Sequence, residues 1–157
     1  RITLPGSQTR ELPWPGELLL VVAHPEFELP PARSRAALPA SLPLATCVEF
    51  GQNLGAFIVA LHTGDRNLLA QSLRDPVAEP FRAELVPGFR RIQAVALGLG
   101  ALGCTLSGQG PSVFAVVDGP ERAARVADAL RHTFREEGLG AQAWVCGLDL
   151  AGARVIS

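Results

Sequence analysis

The chain has 157 residues and a mass of 16.6 kDa, room for one domain with a real core and too little for two ordinary enzyme domains. It is 48% hydrophobic and 18% charged, with mean hydropathy +0.23, which excludes disorder over most of its length. A formal net charge of −1 excludes a broad electrostatic attraction to nucleic acid or anionic lipid.

Residues 1–16 are polar and Pro-rich, with Pro5-Gly6 and Pro13-Trp14-Pro15-Gly16, and read as an irregular linker. Glu17-Leu18-Leu19-Leu20-Val21-Val22-Ala23 is a short apolar run that fits a strand buried on both faces or at a sheet centre. Repeated prolines in residues 24–45 predict an extended connection around a short turn at Arg33–Leu38. Thr46-Cys47-Val48-Glu49 has the form of a capping box. Phe50, Leu54, Phe57, Ile58 and Leu61 then recur at helical spacing, and Gly64 can end that helix. Asp65 can cap a second helix carrying Leu68, Leu69 and Leu73, broken by Asp75-Pro76 and Glu79-Pro80.

Pro87 suits the first turn of a third helix, with Phe89, Ile92, Val95, Ala96 and Leu99 on one face. After a Gly-rich stretch, Val113–Val117 reads as a second strand. Asp118 or Gly119 then starts a fourth helix, with Pro120 at its first position. Ala123, Val126, Ala127, Leu130 and Phe134 form its apolar stripe, and Gly138 stops it. Gln142–Cys146 reads as a last strand, with a further short one near Arg154–Ile156. The predicted order is strand, two or three helices, strand, helix, strand, with amphipathic helices covering one face of a small, mostly antiparallel sheet. This is an α+β domain.

No apolar run reaches the roughly 18–20 residues of a membrane helix, and Arg1-Ile2-Thr3-Leu4-Pro5 lacks a signal-peptide pattern. Methionine is absent and the chain begins at Arg1, so it reads as a piece of a longer protein. Lysine is absent too, which excludes lysine chemistry within these residues. Cys47, Cys104 and Cys146 form no CxxC pair and predict reduced, mostly buried thiols. Neither a metal site nor a catalytic residue is assigned from the spacing of His, Cys, Asp and Glu. His62 and His132 fall at predicted helix C-terminal ends, where a partly positive ring favours the dipole.

Gly98-Leu99-Gly100-Ala101-Leu102-Gly103 is a formal GxGxxG. A dinucleotide fingerprint follows a strand and opens a helix; this one closes a helix and precedes a strand, so it reads as a helix cap and tight turn. The second Gly-rich element runs Gly103-Cys104-Thr105-Leu106-Ser107-Gly108-Gln109-Gly110-Pro111-Ser112. It reads either as a plain hairpin or as a ligand loop whose backbone N–H groups around Gly108–Gly110 form an anion-receiving nest. Arg33, Arg35 and Arg82 are candidates for binding a carboxylate or phosphate.

Ser107-Gly108-Gln109-Gly110-Pro111-Ser112-Val113-Phe114-Ala115 resembles the third motif, SGxGPTxFA, of the GHMP small-molecule kinases. Leu20–Pro25, Arg35–Pro39, Asp75–Arg82, Leu85–Phe89 and Ala151–Val155 resemble the C-terminal half of the homoserine kinases, in the same order and at similar spacing. The resemblance runs from about residue 17 to the end. It implies a ferredoxin-like C-terminal domain over residues 17–157, preceded by the linker at 1–16. It implies ATP-dependent phosphorylation of L-homoserine in threonine biosynthesis, with Mg2+ accompanying ATP. An N-terminal GHMP domain would carry the ATP phosphate loop, so the isolated chain would be inactive.

By motif position, the resemblance places Arg35 and Arg82 on the substrate carboxylate and Ser107, Gly108, Gln109 and Gly110 along the substrate site. It implies a cytoplasmic homodimer with no nucleic-acid or membrane partner. Three positions depart from the family pattern: Pro31 for a threonine, Gln109 for a small residue, and His24-Pro25-Glu26 for a turn. The rival readings are another GHMP kinase, acting on mevalonate-type or sugar substrates, and a non-catalytic ferredoxin-like ligand-binding or regulatory domain.

Overall fold

The computed structural model describes residues 2–4 and 8–152. Strands β1 (Ile2–Leu4) and β2 (Gln8–Arg10) pair as a two-stranded antiparallel ribbon where an irregular linker was expected. The expected short strand near Arg154–Ile156 lies outside the described residues.

The main sheet has four strands: β3 (Leu18–Pro25), β4 (Gly103–Leu106), β5 (Val113–Asp118) and β6 (Ala141–Cys146). Their spatial order is β4-β5-β3-β6 and every pairing is antiparallel. Chain order β-α-β-β-α-β with this spatial order is the ferredoxin-like arrangement. Sequence periodicity alone missed β4, because its four residues include Gly103 and Thr105 and carry little alternation.

Both faces of the sheet are covered. Helices α5 (Phe89–Gly98) and α6 (Pro120–Glu136) pack on one side, where Phe89, Ile92, Ala96, Val126, Leu130 and Phe134 meet Val21, Ala23, Val113 and Ala115. On the other side α2 (Leu44–Thr63) and α3 (Arg66–Ser72) supply Phe57, Ala60, Leu61 and Leu69 against Leu18, Leu20, Phe114 and Val116. The expectation of a single covered face is corrected here. The cause is legible in β3, where Leu18 and Val21, three positions apart, are buried on opposite sides.

Several helix ends follow local chemistry. Gly64 closes α2 with φ +72°, and the Asp65 carboxylate caps α3 by accepting from the Leu68 N–H at 2.9 Å. The end of α5 is a Schellman motif: Gly100 N–H donates to Leu97 O and Ala101 N–H to Ala96 O, with Gly100 at φ +88°. This is the helix cap expected of the GxGxxG segment. Pro120 opens α6, as expected.

Two expected starts shift. Helix α2 begins at Leu44 with Pro43 as its N-cap and no side-chain cap, so Thr46 and Glu49 lie inside the helix. Pro43, fixed at φ −58°, already provides the non-helical entry to the first turn. Pro87 stands outside α5, because Gly88 at φ +72° separates it from Phe89.

By length and composition alone α2, 20 residues long, is apolar enough to cross a membrane, with mean hydropathy 1.4 over its most apolar 18 residues. That corrects the length expectation, since polar residues are interspersed along it. One stripe of α2 packs on the sheet, while Leu44, Val48, Phe50, Leu54 and Val59 are exposed. Cys47 is exposed as well, Cys146 is half-buried and Cys104 is buried, so only Cys104 meets the expectation of burial in full. His62 lies in the last turn of α2 as expected, and His132 sits near the end of α6, 3.6 Å from Glu136.

Candidate functional site

Three segments distant in sequence converge at one end of the sheet. The first is α1 (Pro31–Ala36), a helix where only a turn was expected. Pro31 occupies its first position, which suits a residue with no N–H, and Leu29 anchors the approach in the core. The second is α4 (Glu79–Arg82), which continues into a 3₁₀ turn at Ala83–Leu85. Asp75 shapes the turn that precedes it: its Oδ1 accepts from the N–H groups of Val77 and Ala78, both at 2.9 Å. Ala83, Val86 and Phe89, all at most 3% exposed, fasten the turn and the start of α5 to the core. The third is the loop between β4 and β5, residues 107–112.

Arg82 joins all three. Its Nε donates to the Ser34 carbonyl at 3.4 Å and its Nη1 to the Gly108 carbonyl at 3.3 Å. Ser34, fully buried, donates its hydroxyl to the Gln109 carbonyl at 2.9 Å. A guanidinium has five N–H donors, so two long contacts to carbonyls orient it and leave donors for an anion. Among the described residues no carboxylate pairs with Arg82.

Arg35 follows Ser34 in α1, with an exposed side chain that makes no hydrogen bond or ion pair among the described residues. Arg33 is likewise exposed. The structure therefore brings Arg82 and Gln109 into direct contact with Ser34 of α1, ties Gly108 to Arg82, and leaves Arg35, the residue after Ser34, exposed on α1. Ser34 was missed by sequence reasoning. Its only signal was a small polar residue between two arginines in an otherwise apolar, Pro-rich segment.

The loop is a hairpin, but a shaped one. Ser107 N–H donates to Ser112 O at 2.8 Å, and Gly110 N–H to Ser107 O at 3.1 Å. Gly108 and Gly110 take φ +60° and +79°. The expected nest is thereby reduced: the Gly110 N–H is spent inside the loop, leaving those of Gly108 and Gln109 without an acceptor among the described residues. His24 Nδ1 and Ser112 Oγ, 2.8 Å apart, tie the loop end to β3.

Behind Arg82, the Glu79 carboxylate accepts from Thr105 Oγ1 at 2.5 Å, Gln93 Nε2 at 3.1 Å and Arg90 Nη1 at 3.1 Å. Gln93 Nε2 also donates to Cys104 O at 2.8 Å. The Cys104 thiol is pushed up to about 12, first by burial and then by the Glu79 charge. It is an inert core group rather than a nucleophile.

The family model for GHMP kinases, C terminal, matches residues 57–136. Homoserine kinase of Chlorobium phaeobacteroides strain BS1 is 40% identical over 147 residues, covering 92% of this chain and 46% of that protein. The homoserine kinase of strain DSM 266 of the same species is 41% identical with the same coverage. The crystal structure of homoserine kinase from Cytophaga hutchinsonii superposes with TM-score 0.86 at 33% identity, over 88% of this chain and 44% of that one. A 4-(cytidine 5'-diphospho)-2C-methyl-D-erythritol kinase, at TM-score 0.55 and 23% identity over 89% of this chain and 46% of that one, shares the fold alone. The chain spans about half the length of the curated relatives it matches. With its ferredoxin-like sheet and the matched segment spanning α2 to α6, the chain belongs to the GHMP kinase C-terminal family.

Proposed function

We propose that this chain is the substrate-binding C-terminal half of an enzyme that transfers the γ-phosphoryl group of ATP to the hydroxyl of L-homoserine. The observation that carries the reading is Arg82, oriented by two backbone carbonyls, one of them that of Ser34, the residue before the exposed Arg35, and unpaired with any carboxylate among the described residues. A guanidinium with free donors suits an amino-acid carboxylate, a group that sugar substrates lack, and Arg35 would supply a second one. The names of the two Chlorobium relatives support homoserine as the amino acid.

Phosphoryl transfer depends on positioning and charge stabilisation more than on covalent help from the protein. Arg35 and Arg82 would fix the substrate carboxylate. The loop of Ser107, Gly108, Gln109 and Gly110 would wall the site and present N–H groups to it. ATP and its phosphate loop are assigned to an N-terminal GHMP domain, and residues 17–157 to the C-terminal domain that 1–16 links to it. Mg2+ would accompany ATP. Among the described residues no group of three His, Cys, Asp or Glu is placed to hold a metal, so no metal step is assigned to them. A cytoplasmic homodimer acting in threonine biosynthesis completes the reading, and the exposed apolar side chains of α2 favour a covering partner.

The test is ADP release by the full-length protein with ATP and L-homoserine, with mevalonate and galactose as comparison substrates. Homoserine-dependent turnover is expected. Turnover with a comparison substrate and none with homoserine would move the protein to another branch of the family.

A further inference from the structure

We propose that Glu79 is a positioning residue that holds Arg82 in register with the 107–112 loop. The inference rests on the reading of Arg82 as a carboxylate-binding group. Helix α4 is four residues long and has no side-chain N-cap, so it has little stability of its own. Its placement must come from tertiary ties. Glu79, at its first position, supplies a polar one apart from Arg82 itself: a carboxylate with a side chain only 13% exposed, held by donors from both α5 and β4.

The donor on β4 is the informative one. Thr105 stands two residues before Ser107, on the strand that feeds the loop. Its hydroxyl on Glu79 therefore fixes the start of α4 relative to the start of the loop. Glu79 and Arg82 are i and i+3, one turn apart on the same side of the helix. The contacts that orient Arg82, at 3.3 and 3.4 Å, sit near the outer limit for such bonds. A few tenths of an ångström of helix drift would break both. Glu79 itself has both oxygens occupied by protein donors, which suits an anchor rather than a substrate contact.

The experiment uses the full-length protein and four variants: Glu79→Gln, Thr105→Val, Thr105→Ser and the Glu79→Gln/Thr105→Val double. Thr105→Val removes one hydroxyl at nearly constant shape and serves if Glu79→Gln folds poorly. Steady-state constants are measured for both substrates, together with the rate of phenylglyoxal labelling at Arg82 by peptide mass spectrometry. Thr105→Val and Glu79→Gln are expected to raise the homoserine KM about 5- to 10-fold, with kcat and the ATP KM within about twofold. Thr105→Ser should restore the wild-type value, and the double variant should be no worse than the poorer single. Arg82 labelling should be at least about threefold faster in Thr105→Val, since the guanidinium is released from its carbonyls. Losses confined to kcat or to the active fraction, at an unchanged homoserine KM, would overturn the proposal. Should the wild-type protein phosphorylate no homoserine, the functional reading fails, and the labelling rate alone decides the role of Glu79: unchanged labelling overturns it.

Discussion

The Ser34 hydroxyl donates to the Gln109 carbonyl at 2.9 Å, joining positions 75 residues apart in the chain. The Ser34 carbonyl, in turn, accepts from Arg82 at 3.4 Å. One buried serine therefore braces both the candidate carboxylate-binding group and the loop opposite it. Ser34→Ala should lower stability by about 1 kcal/mol, the usual net value of such a bond, and raise the homoserine KM about fivefold. Urea midpoints and KM values in the full-length protein check both. A lowered midpoint at an unchanged KM would make Ser34 a fold residue only.

The two arginines should separate by what else they hold. Arg35 is exposed and pairs with nothing among the described residues, so Arg35→Ala should leave stability nearly unchanged, within about 0.5 kcal/mol. Arg82 also braces α1 and the loop, so Arg82→Ala should lower the melting temperature measurably. Both should raise the homoserine KM, by about 10- to 150-fold for loss of one charge-assisted contact of about 1.5–3 kcal/mol. The ATP KM should move little. An unchanged homoserine KM in Arg82→Ala would remove that residue from the site.

What sequence periodicity captured, and what it missed, divides along a physical line. Helix α6 was plainly legible, because Ala123, Val126, Leu130 and Phe134 face one core and Pro120 and Gly138 mark its ends. The buried run of β3 was equally plain. Strand β4 was not, because its pairing with β5 is a tertiary fact that four residues cannot announce. Arg35, Arg82 and the 107–110 loop were named from residue chemistry and motif resemblance rather than periodicity. Ser34 and the Glu79–Thr105 tie escaped, since each depends on a partner 26 or more residues away.

Gly103, the last glycine of the GxGxxG segment, is explained by packing. A Cβ there would lie 2.5 Å from Leu73 Cβ and 2.8 Å from Leu73 Cδ1. Strand β4 and the end of α3 approach closely only because that atom is absent. Gly103→Ala should destabilise the protein by about 1–3 kcal/mol through overpacking, with the nucleotide KM unchanged. Thermal melts and ATP titrations test this. A selective loss of ATP binding at unchanged stability would instead return the segment to a phosphate-binding role.

Cys104 gives the alkaline limb of the stability curve a specific cause. Burial, and then the Glu79 charge, move its thiol from an ordinary 9.0 to about 12. The fold therefore keeps the proton while the unfolded chain loses it above pH 9. For an acid raised in the folded state, the neutral thiol's contribution is full below pH 9 and declines as pH rises from 9 towards 12. The limiting slope is about 1.4 kcal/mol per pH unit. The chain has no lysine and no tyrosine, so few other side chains titrate in that window. Urea unfolding from pH 8 to pH 10.5 should show wild-type stability falling relative to Cys104→Ala, whose own curve lacks this component. Parallel curves for the two proteins would show that Cys104 ionises alike in both states, and that the core around β4 admits water.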